Sequence, residues 1–337
     1  MQEKLTVLEP ESLYPDTLLE QRVMGDTVRI LQGNAKKALM ELPDELCAQA
    51  DGLMTLRLAV PKEALARFPK LKVVIRMGVG YDRVDRAYCA ERGITVCNVP
   101  DYGTQEVADT AVTLAATLRR GIPLYHDAMR GPSPCAWGVI QNPIVRRFDV
   151  QTFGVLGLGR IGTAAALRAK ALGFRVVFYD PHLPNGADRA IGVTRLESLE
   201  ALMEASDVLS IHTPLTRNTR GLVGAAQLAR LKEGAVVINT ARGPILDLDA
   251  LEAGLRSGRI AAAGLDVLPV EPPVPEPPLL QAYRAGEEWL RGRLIILPHI
   301  AFHSPEAWDD IRLKSAETMR DVLVRGLRTN VIPPDSD

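Results

Sequence analysis

Two parallel sheets with helices on their faces, arranged in two domains, are what this sequence predicts. The 337 residues suffice for two domains of ordinary size. Short β-branched or apolar runs alternate with segments of helical spacing, the pattern of parallel strands joined by helical crossovers. That rhythm comes in two series, with a break between Pro100 and Asp149.

The first series places strands at Leu5–Leu8, Val28–Leu31, Gly52–Leu56, Val73–Arg76 and Thr95–Val99. Between them, Asp16–Met24 and Pro61–Phe68 read as helices; Pro61 suits a first turn, and Ala64, Leu65 and Phe68 fall at helical spacing. After Pro100, the spacing of Val107, Ala111, Leu114 and Leu118 predicts one long helix over Gly103–Arg120. Gly131–Asp149 holds three prolines and Trp137 with little periodicity, which predicts a loop or an arm.

The second series has six candidate strands: Phe153–Leu156, Arg175–Tyr179, Val208–Ile211, Ala235–Asn239, Ile260–Leu265 and Leu294–Leu297. Six is the count of a complete dinucleotide-binding sheet. The proline cluster Glu271–Pro278 predicts extended chain. The tail, Pro305–Leu327, reads as a helix through Trp308, Ile311, Ala316, Met319 and Leu323, and Val331-Ile332-Pro333-Pro334 is expected to end the fold.

Charge and composition narrow the function classes. Lys plus Arg number 40 and Asp plus Glu 41, so a net charge of −1 gives no pull toward nucleic acid or an anionic membrane. With 47% hydrophobic and 24% charged residues, the composition is that of a soluble globular protein. The start, MQEKLTVLEP, has no basic segment followed by an apolar stretch, and no run has the length of a membrane span, so a cytoplasmic location is expected. Cys47, Cys89, Cys97 and Cys135 lack the paired spacing of zinc sites or redox dithiols, and they read as bystander thiols in a reducing compartment with no metal.

Gly157-Leu158-Gly159-Arg160-Ile161-Gly162 is a GxGxxG motif that follows the strand ending at Leu156 and opens a helix over Ile161–Leu172. In that context Gly157 permits the tight turn, Gly159 lets backbone approach a pyrophosphate, and Gly162 allows close helix–strand packing. The helix N-terminus adds free N–H groups and a positive dipole end. Asp180 ends the next strand, 18 residues after Gly162, where a carboxylate accepts ribose hydroxyls and repels a 2′-phosphate; NAD is expected over NADP.

Five histidines compete for a chemical role. His126 and His182 read as solvated surface groups. His212 ends a strand and reads equally well as a structural histidine or as a wall of the cofactor cleft. His299 follows Leu294–Leu297 and Pro298, which puts it with Asp266 and the segment after Asn239 on the carboxyl rim of the sheet, where ligands bind in such folds. On that rim Arg242 offers a cation to a substrate anion, and Glu271 is a loop acid five residues past Asp266. A cation, an acid and an imidazole around a nicotinamide supply what carbonyl reduction needs.

At these residues the sequence resembles the D-isomer-specific 2-hydroxyacid dehydrogenase family, and is most similar to its C-terminal binding protein-like branch. The resemblance runs from about Leu53 to Leu327. It is carried by Arg76-Met77-Gly78-Val79-Gly80-Tyr81-Asp82, Val96-Cys97-Asn98-Val99-Pro100, the glycine motif, Asn239-Thr240-Ala241-Arg242-Gly243, Gly264-Leu265-Asp266-Val267 and Pro298-His299.

The resemblance implies a catalytic trio of Arg242, Glu271 and His299, with His299 as proton donor, Glu271 supporting it and Arg242 binding the carboxylate. It implies that the backbone of Val79 and Gly80 clamps the substrate acid, that Arg76 also reaches it, and that Phe302 borders the pocket. On the cofactor side it implies Leu156, Arg160 and Ile161 beside the glycines, Asp180 at the ribose, Thr213, Pro214 and Asn218 toward adenine, and Thr240, Ala241 and Asp266 toward the nicotinamide.

It further implies two Rossmann-like domains, with an NAD-binding doubly wound sheet (residues 103–302) inserted into a flavodoxin-like substrate domain (1–102 plus 303–337). A homodimer is expected, built through an arm at about residues 121–149. Two features depart from the family. Glu271 and His299 stand 28 positions apart, farther than the family usually has them, with the excess in Pro275–Arg293; and Phe302-His303 replaces the branch's aromatic pair.

The expected reaction interconverts a 2-keto acid and a D-2-hydroxy acid with NAD. Oxidation of a small anion such as phosphite is a second enzymatic reading, and Glu271 argues against formate, whose enzymes carry Gln there. From another class comes an NADH-sensing dimeric regulatory protein; retention of Arg242, Glu271 and His299 favours catalysis.

Overall fold

The computed structural model describes residues 4–131 and 137–334. Cys135 lies outside the described residues, as does part of the expected arm. The chain divides into two compact units, Met1–Gly103 with His303–Asp337, and Thr104–Phe302.

In the first unit the strands are β1 (Leu5–Glu9), β2 (Val28–Gln32), β3 (Gly52–Thr55), β4 (Val73–Arg76) and β5 (Thr95–Asn98). All pair in parallel, in the order β2-β1-β3-β4-β5. That is the flavodoxin-like order, with the topological switch between β1 and β3. Its core gathers Leu8, Leu53, Leu65, Phe68, Val74 and Val96. The returning tail packs here: Arg312, on the helix Pro305–Met319, ion-pairs with the buried Glu20 and with Asp16, and stacks over Tyr14.

The second unit's strands are β6 (Thr152–Leu156), β7 (Arg175–Tyr179), β8 (Thr194–Arg195), β9 (Val208–Ile211), β10 (Ala235–Asn239), β11 (Ile260–Leu265) and β12 (Leu294–Ile296). Their order, β12-β11-β10-β9-β6-β7-β8, has a switch between β6 and β9. This is the doubly wound dinucleotide-binding order with one strand added beyond the sixth. One face carries Leu209, Ile211, Val237 and Leu265; the other carries Val208, Phe153, Val236 and Ile238 beneath the helices Thr104–Arg119 and Arg160–Ala171. Both faces are covered, so the strands read as continuous apolar runs.

Eleven strands fall where the sequence places them, to within a residue or two. Thr194–Arg195 was missed because two residues carry no alternation; it is an edge strand held by pairing with β7 and by Arg195 over the Phe178 ring. A helix at Ile122–Met129 was missed too, its proline at an early position where no N–H is needed. The segment expected to be extended bends instead, and at Pro278 becomes a helix through Arg284. The tail helix ends at Met319 and widens into one π turn, Arg320–Val324.

Candidate active site

The glycine motif forms the turn between β6 and the helix Arg160–Ala171. Gly157 has φ +89°, a conformation that disfavours any side chain, and a β-carbon there would come within 3.0 Å of the Thr213 backbone nitrogen. A β-carbon at Gly162 would sit 2.1 Å from the Gly157 carbonyl oxygen, so the third glycine sets how closely helix and loop approach. A β-carbon at Gly159 would project into open space. The helix that starts beside it has no side-chain cap, which leaves its first N–H groups to an external anion.

Asp180, just past β7, ties this loop to the second strand's end: Oδ2 accepts the Leu158 N–H at 2.9 Å and Oδ1 accepts the His182 N–H at 2.9 Å. A carboxylate has about four acceptor positions, so capacity remains for ribose hydroxyls. Thr240 follows β10, and its hydroxyl is buried without a partner among the described residues. A packed turn, an open Gly159, an uncapped helix and an orphaned hydroxyl on one rim fit a dinucleotide. Thr213, Pro214 and Asn218 lie in the segment after β9, with Pro214 and Asn218 exposed.

His212 extends β9. Its N–H donates to the Leu156 carbonyl at 2.8 Å and its Nε2 is 2.8 Å from Ser210 Oγ. Burial pushes this imidazole down to about 4, so it is uncharged at neutral pH. His126 and His182 are exposed.

On the same rim the chain brings Glu271 and His299 together. His299 Nδ1 lies 2.7 Å from Glu271 Oε2, while Glu271 Oε1 accepts the Leu268 N–H at 3.0 Å. With Glu271 ionised, Nδ1 is the donor and Nε2 faces away from the carboxylate. His299 has φ +58°, costly for a non-glycine residue and held in place by its neighbours. Asp266, just past β11, does the holding: its carbonyl accepts the His299 N–H at 2.8 Å, and its carboxylate accepts the N–H groups of Ile300 (2.8 Å) and Ala301 (3.1 Å). Asp266 is 2% exposed, and burial raises its pKa. The resemblance implies Asp266 toward the nicotinamide; its carboxylate also fixes the histidine turn.

Arg242 follows β10 and is half-buried, with Nη1 donating to the Ala241 carbonyl at 2.8 Å. Asn239 pins the segment that carries it: Oδ1 accepts the Ala241 N–H and Nδ2 donates to the Arg242 carbonyl, both at 3.0 Å. Gly243 packs so closely that a β-carbon would meet the Leu268 carbonyl at 2.0 Å. Thus the Arg242 turn braces the loop leading to Glu271. Asn239 was named only as part of a motif; an Asn at a strand end, two residues before a turn, was the signal for its role. Phe302 is half-buried at this unit's end.

In the first unit Arg76 ends β4, and Gly78 makes room for it: a β-carbon there would lie 2.5 Å from Arg76 Nη1. Val79 and Gly80 follow, both half-buried. The Val79 carbonyl accepts from Asn98 Nδ2 at 2.7 Å.

Among the described residues no His, Cys, Asp and Glu cluster suited to a metal occurs, and no helix is long and apolar enough to cross a membrane. Cys47, Cys89 and Cys97 are buried free thiols, and burial raises the pKa of each.

Comparison with known proteins bears on the family and the fold. Residues 112–301 fit the family model described as the NAD binding domain of D-isomer specific 2-hydroxyacid dehydrogenase. A glyoxylate reductase of Korarchaeum cryptofilum is 36% identical over 279 residues, 82% of this chain and 79% of that protein. A D-3-phosphoglycerate dehydrogenase of Methanocaldococcus jannaschii is 32% identical over 330 residues; the match takes in 98% of this chain and 59% of that protein's length. The crystal structure of D-lactate dehydrogenase from Aquifex aeolicus, complexed with NAD and lactic acid, is 25% identical with a TM-score of 0.82, covering 98% of this chain and 100% of that one. With a dinucleotide-type switch point and a carboxylate-held histidine on one rim, the chain belongs to the D-isomer-specific 2-hydroxyacid dehydrogenase family, and residues 112–301 are its NAD-binding domain.

Proposed function

We propose that the protein reduces a small 2-keto acid to the D-2-hydroxy acid, and catalyses the reverse, with His299 as general acid and base. The contact between His299 Nδ1 and Glu271 Oε2 carries this reading, because it commits Nδ1 to the carboxylate and leaves Nε2 to exchange a proton with the substrate oxygen. The reduced nicotinamide, when bound, supplies the hydride to C2. His299 gives the carbonyl oxygen its proton, so one hydride and one proton make the alcohol. Glu271 then lies beside the imidazole through either protonation state and keeps its orientation.

Arg242 is assigned to the substrate carboxylate and keto oxygen, where a guanidinium offers paired donors to planar acids. Arg76, Val79 and Gly80 are assigned to the substrate acid, and Phe302 is assigned to substrate binding. Gly157, Gly159, Arg160, Ile161 and Gly162 are assigned to the pyrophosphate, Asp180 to the adenosine ribose, and Thr240 and Ala241 to the nicotinamide side. A carboxylate at Asp180 favours NAD over NADP. The glyoxylate reductase relative supports a compact keto acid as first substrate to test.

Membership of the C-terminal binding protein-like branch, a cytoplasmic location and a homodimer through residues 121–149 belong to the same reading. Ile122, Met129, Trp137, Val139 and Val150 are exposed apolar side chains in or next to that segment, the surface a second copy would cover. The test is NADH oxidation at 340 nm across glyoxylate, pyruvate, hydroxypyruvate and larger keto acids, with NADPH in parallel. No turnover on any of them by protein that binds NADH would overturn the reading.

A further inference from the structure

The geometry around β4 and β5 points to a side chain with no role so far: we infer that Asn98 is a positioning residue that aims the Gly80 N–H at the substrate carboxylate. This rests on the assignment of Val79 and Gly80 to the substrate acid.

Asn98 ends β5, in register with Arg76 at the end of β4. Its Nδ2 donates to the Val79 carbonyl at 2.7 Å, the short end of the amide range. That carbonyl and the Gly80 N–H belong to one planar peptide, in which the two groups point in opposite directions. Fixing the carbonyl therefore fixes the N–H. Without the tether the Val79-Gly80 peptide, flanked by two glycines at 78 and 80, would be free to rotate.

Other bonds hold the frame. The Gly78 carbonyl accepts the Val99 N–H at 3.1 Å, and the Met77 N–H donates to the Thr55 carbonyl at 2.8 Å. The Asn98 N–H donates to the Asn330 carbonyl at 3.2 Å, so the backbone of Asn98 is itself anchored by the tail. The N–H groups of Val79 and Gly80 donate to no group among the described residues. They are donors held in one orientation, next to the Arg76 guanidinium that lies over Gly78. A side-chain donor is required: Asp at 98 would set a carboxylate against the Val79 carbonyl and turn the peptide away.

The experiment compares Asn98→Asp and Asn98→Ser with the unmodified protein, using glyoxylate as substrate and oxamate as a non-reacting carboxylate. Asn98→Asp is expected to raise KM for glyoxylate and Ki for oxamate by roughly tenfold or more, as for loss of a hydrogen bond to a charged group. kcat is expected to stay within about threefold, and NADH affinity, read by fluorescence, to be unchanged. Asn98→Ser keeps a shorter donor and is expected to fall between the two; it carries the comparison if Asn98→Asp does not fold. Unchanged KM and Ki in a folded variant would overturn the inference, as would an equal loss of NADH affinity, which marks a general structural role. Failure of the unmodified protein to turn over or bind any keto acid would instead sink the functional reading beneath it.

Discussion

Asp266 and His299 are joined by a backbone hydrogen bond, the His299 N–H to the Asp266 carbonyl at 2.8 Å, while the Asp266 carboxylate binds the next two N–H groups. An imidazole on a left-handed residue is thus held by a buried acid from the neighbouring strand's end. Asp266→Asn keeps one acceptor and loses the charge that the Ile300 and Ala301 N–H groups face. We expect it to lower stability by about 1–3 kcal/mol and to reduce kcat. Thermal unfolding with steady-state kinetics checks this; an unchanged midpoint and unchanged kcat would contradict it.

His299→Asn removes the proton donor while keeping a polar side chain. The expected loss in kcat is about 10²- to 10⁴-fold, with NADH binding retained. Glu271→Gln keeps an acceptor for His299 Nδ1 and removes the charge, so a smaller loss, about 10- to 100-fold, is expected with a changed pH profile. Steady-state rates from pH 5 to 9 separate the two variants.

Gly159 and Gly162 predict opposite failures. Gly159 has φ −73° and open space around it, so Gly159→Ala should fold with an unchanged melting temperature and bind NADH at least tenfold more weakly, the methyl taking the pyrophosphate's place. Gly162→Ala places its methyl against the Gly157 carbonyl and should cost about 1–3 kcal/mol of stability as well as NADH affinity. Calorimetry and fluorescence titration of both variants settle the pair; equal stability losses would refute the distinction.

Asp180→Ser should relax cofactor choice. Removing the carboxylate lifts the repulsion on a 2′-phosphate, so the ratio of kcat/KM for NADH over NADPH is expected to fall by at least tenfold. Because Asp180 also accepts the Leu158 N–H, some loss with NADH is expected too. An unchanged ratio would remove Asp180 from cofactor selection.

Glu9, 5% exposed at the end of β1 beside Glu20, is raised from 4.5 to about 7, first by burial and then by Glu20. Between those values the folded chain holds a proton that the unfolded chain releases, so stability falls as pH rises from about 4.5 to 7 and levels off above. The contribution is up to about 3 kcal/mol. Glu9→Gln, which cannot ionise, should gain stability relative to the unmodified protein at pH 8 and little at pH 5. Chemical unfolding at both pH values measures the difference; an identical gap at the two would argue against the raised carboxyl.

The sequence by itself determined the strand positions, the glycine turn and the residue types at the rim, because alternation, apolar runs and turn glycines are local properties of a dozen residues. It did not determine Thr194–Arg195, too short for a pattern, or the bends after Glu271. Tertiary structure alone decided which distant groups meet. Glu271 and His299 are 28 positions apart, and only the parallel pairing of β11 with β12 brings their loops to one rim. Likewise the Asn98 amide reaches Val79 because β4 and β5 pair in register. Such contacts depend on strand order, which is set by the burial of both sheet faces across the whole unit, and no local spacing encodes it.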